Sequence, residues 1–158
     1  MSGLPDPKPI RIKPPKNRFI KRKPKAKKKR VKLKSISYLK KKAWVLFSLF
    51  IRKRDSVNGL VRCVSCPAVV PWHESHASHF IDGRSGSVLF NPEIVYASCA
   101  RCNLWLHGNK IPYTIFMQKK FGAERVEQML IEAKQIKKLG RSDYEEVIRK
   151  YGDLENSL

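Results

Sequence analysis

Acidic residues are what this sequence has least of relative to their opposites. Thirteen Asp and Glu face 34 Lys and Arg, a net charge of +21 over 158 residues. That imbalance argues against a free-standing metabolic enzyme acting on small neutral substrates, and for a polyanionic partner. Long apolar runs are also missing. The longest, residues 43–51, has nine positions with Ser48 inside it, too short to span a bilayer. The N-terminus carries charge and proline where a secretory signal needs an apolar segment. The expectation is a cytoplasmic chain with no membrane contact. Cysteine is scarce, with only four, and in a reducing compartment these are free or metal-bound. No internal repeat is present.

The charge is unevenly placed. Residues 1–34 hold fifteen Lys or Arg against Asp6 alone, which is +14, and the remaining residues carry the other +7. Six prolines in the same stretch (Pro5, Pro7, Pro9, Pro14, Pro15 and Pro24) block helix and sheet, and the basic run repels itself. Residues 1–34 therefore read as a disordered basic arm. Lys21, Arg22, Lys23, Lys27, Lys28, Lys29 and Arg30 are its phosphate-backbone contacts, supplying affinity and not sequence choice. A merely solubilising tail is the plainer alternative.

Residues 35–158 read as one domain with its core at 61–110. A helix capped by Ser35 or Ser37 carries Leu39, Ala43, Trp44, Phe47, Phe50 and Ile51 at three- and four-residue steps. Lys40, Lys41 and Lys42 fall on its opposite face. Residues 61–64 and 69–72 suit a small hairpin, and 75–81 another strand. The stretch 82–86 is a flexible loop, and 99–106 a short helix ended by Gly108. Pro112 opens a helix that Phe121-Gly122 breaks. An amphipathic helix then runs from Val126 to Gly140, and Ser142 with Glu145 forms a capping box for the last one.

Chemistry concentrates in the middle. Cys63-x-x-Cys66 and Cys99-x-x-Cys102 have the paired spacing of a tetrahedral zinc site, in which both thiolates of a turn reach one ion. A disulfide pairing and an iron–sulfur cluster are the alternatives. A closed four-Cys site has no open coordination position, so such a metal staples the fold and does no hydrolysis. All four histidines lie between His73 and His107. His73 and His107 read as structural or surface residues.

The order C-x-x-C, His on a strand, Asn in a loop, then C-x-x-C-Asn opening a helix resembles the HNH nucleases of ββα-metal type. More particular elements are Phe50-Ile51-Arg52-Lys53-Arg54-Asp55, Ser78-His79-Phe80, Leu89-Phe90-Asn91, Cys102-Asn103, Gly108-Asn109 and Tyr113. Over roughly residues 35–135 these resemble the NinG/Rap recombination proteins of lambdoid phages. The resemblance implies an α+β fold: a small ββα-metal core on a four-Cys zinc site, flanked by N- and C-terminal helices. It implies a metal-dependent endonuclease acting on branched recombination intermediates such as Holliday junctions and D-loops.

Carried over by position, His79 is the general base, and Asn103 ligates a catalytic Mg²⁺ or Mn²⁺. Ser78 stands where many such nucleases have a metal-binding Asp or His, leaving Asp82 and His76 as open replacements. The family's Asn-Ile/Val-His segment reads Ile94-Val95-Tyr96 here. Asn91 is then the residue left to orient the base through its carbonyl; as a mere turn residue it would leave the site without an orienter. Arg84 and Arg101 are the candidate phosphate contacts, with a solvated loop arginine the equal alternative for Arg84. Paired nicks imply a homodimer through the C-terminal helices, and a related group of phage nucleases implies a host recombination partner. A zinc-containing protein that binds DNA or RNA without cutting is the competing reading, and a ribosome-associated basic zinc protein a weaker one.

Overall fold

The computed structural model describes residues 11–13, 33–83, 86–135 and 137–155. The chain divides into two units, 1–32 and 33–158. In the first, only 11–13 are described, as exposed chain without regular structure. Lys21, Arg22, Lys23, Lys27, Lys28, Lys29, Arg30 and Arg84 lie outside the described residues, as does nearly all of the expected arm.

The second unit is a mixed α+β fold. Helix α1, Ile36–Arg54, starts where the Ser35 side chain accepts a hydrogen bond from the Tyr38 N–H and ends at Asp55. Its buried residues are Leu39, Ala43, Phe47 and Ile51, one stripe at four-residue steps. Phe47 lies edge-on to Phe90 at 5.7 Å and to Tyr151 at 5.1 Å, an aromatic geometry that adds to plain burial. Tyr151 belongs to the final helix, α4 (Arg141–Glu155), so the first and last helices share one core.

Two small antiparallel sheets follow α1. Strands β1 (Ser56–Val57), β2 (Leu60–Arg62) and β3 (Val69–Pro71) lie side by side in chain order. Sequence reading anticipated β2 and β3 but not β1. The signal was Asn58-Gly59, whose φ values of +51° and +78° are those of a two-residue type I′ hairpin turn. Strand β4 (His76–His79) pairs with β5 (Val95–Ser98), His76 opposite Ser98 and His79 opposite Val95. All four residues of β5 are buried, so it shows no polar alternation, and its pattern alone did not mark it as a strand.

Three expected segments differ. The stretch after Cys99 is a π-helical turn, Arg101–Trp105, in place of a regular helix; wide turns of this kind recur at functional sites. Helix α2 (Lys110–Phe121) stops at Gly122, φ +83°, and α3 (Ala123–Ala133) ends well before Gly140. The carbonyls beyond it are used elsewhere. Ser87 donates to the Ala133 and Gln135 oxygens, and the Gly86 N–H to that of Lys137 at 2.9 Å. A Cβ on Gly86 would stand 2.5 Å from that last oxygen, so glycine is required there. Finally, the cap of α4 is not Ser142 with Glu145. The Asp143 carboxylate accepts from the Gly140 N–H at 2.7 Å, and Glu145 meets Arg141.

Strand β5 is fastened to α1 by the helix end. Arg54 grips both oxygens of Asp55, at 2.7 and 3.0 Å, and donates to the Pro92 and Val95 carbonyls. Asp55 in turn accepts from the Ala97 N–H at 2.8 Å. Charge-assisted bonds to half-buried groups are the strong kind, and an orphaned partner is costly. Asp55→Ala is expected to lower unfolding stability by about 2 kcal/mol, read by denaturant titration; a change within error would mean that β5 is held by apolar packing alone.

Candidate metal cluster and cleft

Cys63 and Cys66 flank the β2–β3 connection, while Cys99 and Cys102 lie where β5 passes into the π-helical turn. The four sulfurs come within 4.8 Å of one another, and the Cys66 and Cys99 sulfurs are 3.8 Å apart. A tetrahedron with Zn–S bonds of about 2.3 Å has edges of about 3.8 Å, so the donor set fits one zinc ion. In an iron–sulfur cluster the thiolates on different irons would stand wider apart than this. All four cysteines are free, with no disulfide. Backbone and side-chain N–H groups aim at the sulfurs, from Cys102 to Cys99 at 3.5 Å and from Asn109 to Cys102 at 3.8 Å. Such outer contacts orient thiolate ligands.

Burial, reinforced by the neighbouring thiols, pushes the Cys102 thiol up to about 12, and burial also raises Cys63. In Cys99 burial acts the same way, but hydrogen bonds from Cys102 and the other thiols win and lower it. An entering dication therefore displaces protons, and its hold weakens as pH falls.

Beside this cluster a cleft of about 670 Å³ opens between α1, β4 and the segment following the π-helical turn. Ser37, Lys40, Lys41 and Trp44 form its α1 wall, and His79, Asp82, Leu89, Asn103, His107 and Lys110 are among its other lining residues. His79 is held on two sides. Its ring stacks on Trp44, centroids 5.3 Å apart and planes 15° from parallel, and its Nε2 meets the Leu89 carbonyl at 3.2 Å. A carbonyl accepts, so Nε2 carries the proton and the lone pair of the neutral ring sits on Nδ1.

His79 and Asn103 thus border the same cleft, and Asn103 reaches His76: its amide nitrogen is 3.4 Å from His76 Nδ1. Asp82 is well exposed and committed to Lys110 at 2.8 Å. Lys110 also donates to the carbonyls of His79 and Phe80, pinning the end of β4. Asn91 is absent from the cleft lining. Its side-chain oxygen accepts from the Glu93 N–H at 2.9 Å, a turn-closing role, and the carbonyl that meets the imidazole is that of Leu89. Arg101 is exposed and absent from the cleft lining. His107, read from sequence as a surface residue, is exposed and borders the cleft. Trp44, Lys40, Lys41, Leu89 and Lys110 were not picked out by sequence reasoning. Ser37, Lys40, Lys41 and Trp44 do share the i, i+3, i+4, i+7 spacing of one helix face, the available signal for four of the wall residues.

The model of the family described as "Bacteriophage Lambda NinG protein" matches residues 12–157. The chain belongs to the NinG family. A curated relative, "Protein ninG" of Escherichia phage lambda, is 28% identical over 103 residues, covering 64% of this chain and 48% of the relative. The chain thus spans about half the length of the NinG protein it matches. No solved structure matches it, and no described helix is long and apolar enough to cross a membrane.

For this NinG family member, one zinc per chain is expected by elemental analysis. Cys102→Ser should reduce the metal content and lower Tm by roughly 10 °C or more, because a structural zinc contributes directly to folding free energy. Full retention of metal and Tm in that variant would dismiss the cluster as a zinc site.

Proposed function

We propose that this protein is a metal-dependent DNA endonuclease of HNH type, acting on branched recombination intermediates, with His79 as general base. The observation that carries the reading is the placement of His79: an imidazole with its tautomer set by a backbone carbonyl and its plane by an indole, bordering a lysine-walled cleft that Asn103 shares. A neutral, oriented imidazole is what removal of a proton from an attacking water requires. The chain order β4, loop, β5, helical turn supports a ββα core, as does the cleft that His79 and Asn103 both border. Family membership supports the recombination setting.

Cys63, Cys66, Cys99 and Cys102 would hold a structural zinc, which would supply rigidity to the π-helical turn at Cys102, directly before Asn103. The catalytic ion, Mg²⁺ or Mn²⁺, would be held by Asn103 with His76 or Asp82, and would supply Lewis-acid stabilisation of the leaving oxyanion. Among the described residues no second group of three metal-binding side chains exists beyond the cysteines. So sparse a set suits an ion of the Mg²⁺ kind, which keeps waters and shares substrate phosphate oxygens. His79 takes the proton from the water in this reading, Leu89 and Trp44 keep the ring in register, and Lys110 steadies the strand end that presents it. DNA is the partner in this reading, with two copies of the chain making paired nicks and host recombination proteins delivering the junction, in the cytoplasm of the infected cell.

One observation favours the competing reading, a zinc-containing nucleic-acid-binding protein that cuts nothing. Asp82, the acidic residue of the cleft, is neutralised by Lys110, and Asn91 is turned to other use. A synthetic four-way junction incubated with Mg²⁺ or Mn²⁺ separates the two. Cleavage is expected, abolished by chelator and reduced at least about 100-fold by His79→Ala, with junction binding retained. Binding without cleavage in either metal selects the competing reading, and undiminished cleavage by His79→Ala removes that residue from the chemistry.

A further inference from the structure

The lysines of α1 were expected on the solvent face, yet two of them line the cleft. Ser37, Lys40, Lys41 and Trp44 occupy successive turns of one helix face, so the wall that presents an indole to His79 also presents two ammonium groups. Lys40 is half-buried and Lys41 exposed, and neither has an ion-pair or hydrogen-bond partner among the described residues. A half-buried ammonium without a counter-charge is unfavourable. The first turn of α1 contains no acidic residue that could compensate it. Three other cations, Lys110, Arg52 and Lys53, are engaged elsewhere. Lys110 is spent on Asp82 and two carbonyls, and Arg52 and Lys53 lie near Trp72 at the far end of α1. Lys40 and Lys41 are thus uncompensated positive charge facing an open cleft.

We infer that Lys40 and Lys41 form a phosphate-binding pair on the α1 wall, holding the backbone of a nucleic acid in the cleft that His79 borders. The inference deepens the proposed function by naming the contacts that seat the strand, and it rests on a nucleic-acid ligand but not on cleavage. Spacing supports it. Adjacent residues on a helix splay around the axis, so the two ammonium groups can meet different oxygens of one strand, while Trp44 one turn on is already bound to the imidazole. The contacts are to phosphate, so they fix register without reading sequence.

The test is the salt dependence of binding by the full chain, measured in EDTA by fluorescence anisotropy with a labelled four-way junction. Each phosphate contact adds about 0.9 to the slope of log K against log salt. The arm is identical in every variant, so its contribution cancels. Lys40→Gln/Lys41→Gln is expected to reduce the slope by about 2. Lys137→Gln/Lys138→Gln, which removes two exposed lysines away from the cleft, should leave it unchanged, and Lys40→Arg/Lys41→Arg should preserve it. An unaltered slope in the glutamine pair overturns the proposal, as does an equal loss in the 137/138 control. So does a loss that arginine fails to restore, since that outcome marks a structural role. Loss of cleavage plays no part in this readout, so a failure of the nuclease reading leaves the outcome interpretable.

Discussion

Four sulfur atoms drawn within 4.8 Å of one another are the constraint on which the rest of the middle of this chain depends. Strands of two to four residues cannot hold themselves in water, and the two sheets here are made of nothing longer. The cluster joins them. One pair of cysteines flanks the β2–β3 connection and the other follows β5, so a metal there would cross-link the sheets through the turn that Asn103 occupies. Ser65 and Asn109 reinforce the same junction, Ser65 donating to the Gly108 carbonyl and Asn109 to that of Ser65. The Gly108 position is left-handed, φ +89°, which lets the chain turn from the cluster straight into α2.

Helix α1 serves two ends at once. Its buried stripe makes the core with α4 through Phe47 and Tyr151, and its C-terminal Arg54–Asp55 pair grips β5. The adjacent face supplies the cleft wall. A residue near that boundary, Trp44, packs beside the core while stacking on His79. This coupling means that the orientation of the imidazole is set by tertiary packing of α1 against β4, and not by the β4 strand alone. The buried Tyr113 adds to the same end, donating its hydroxyl to the Ser78 carbonyl at 2.9 Å; burial holds its pKa well above the ordinary range, so it remains a donor.

What was legible in the sequence follows from how local each signal is. The cysteine pairs were plain, because a metal turn is written in four consecutive residues. The cap and stripe of α1 were equally local. Strand β5 was not, because full burial erases alternation. Nor was the stop of α3 at Ala133, where Ser87, from across the chain, takes the helix's last carbonyl and that of Gln135 beyond it. The most instructive miss is Asn91. Reasoning by side-chain type sought an amide to orient His79, whereas the contact is a main-chain carbonyl at Leu89, and a backbone group leaves no residue-type signature. Lys40 and Lys41 were misplaced for a related reason: a helix has more faces than core and solvent, and the cleft lies on a third.

The charge of the cleft bears on how a catalytic ion would enter it. Lys40 and Lys41 present positive charge to the space, and Asp82, the one carboxylate among the described lining residues, is matched by Lys110. A free dication approaching this protein meets repulsion and few donors. The same cations attract a phosphodiester, whose oxygens would both neutralise the lysines and supply the ligands the protein lacks. On the proposed reading the ion therefore arrives with, or after, the strand. Order of assembly becomes a consequence of electrostatics: a site poor in carboxylates and rich in lysine has little use for a divalent metal until a polyanion occupies it.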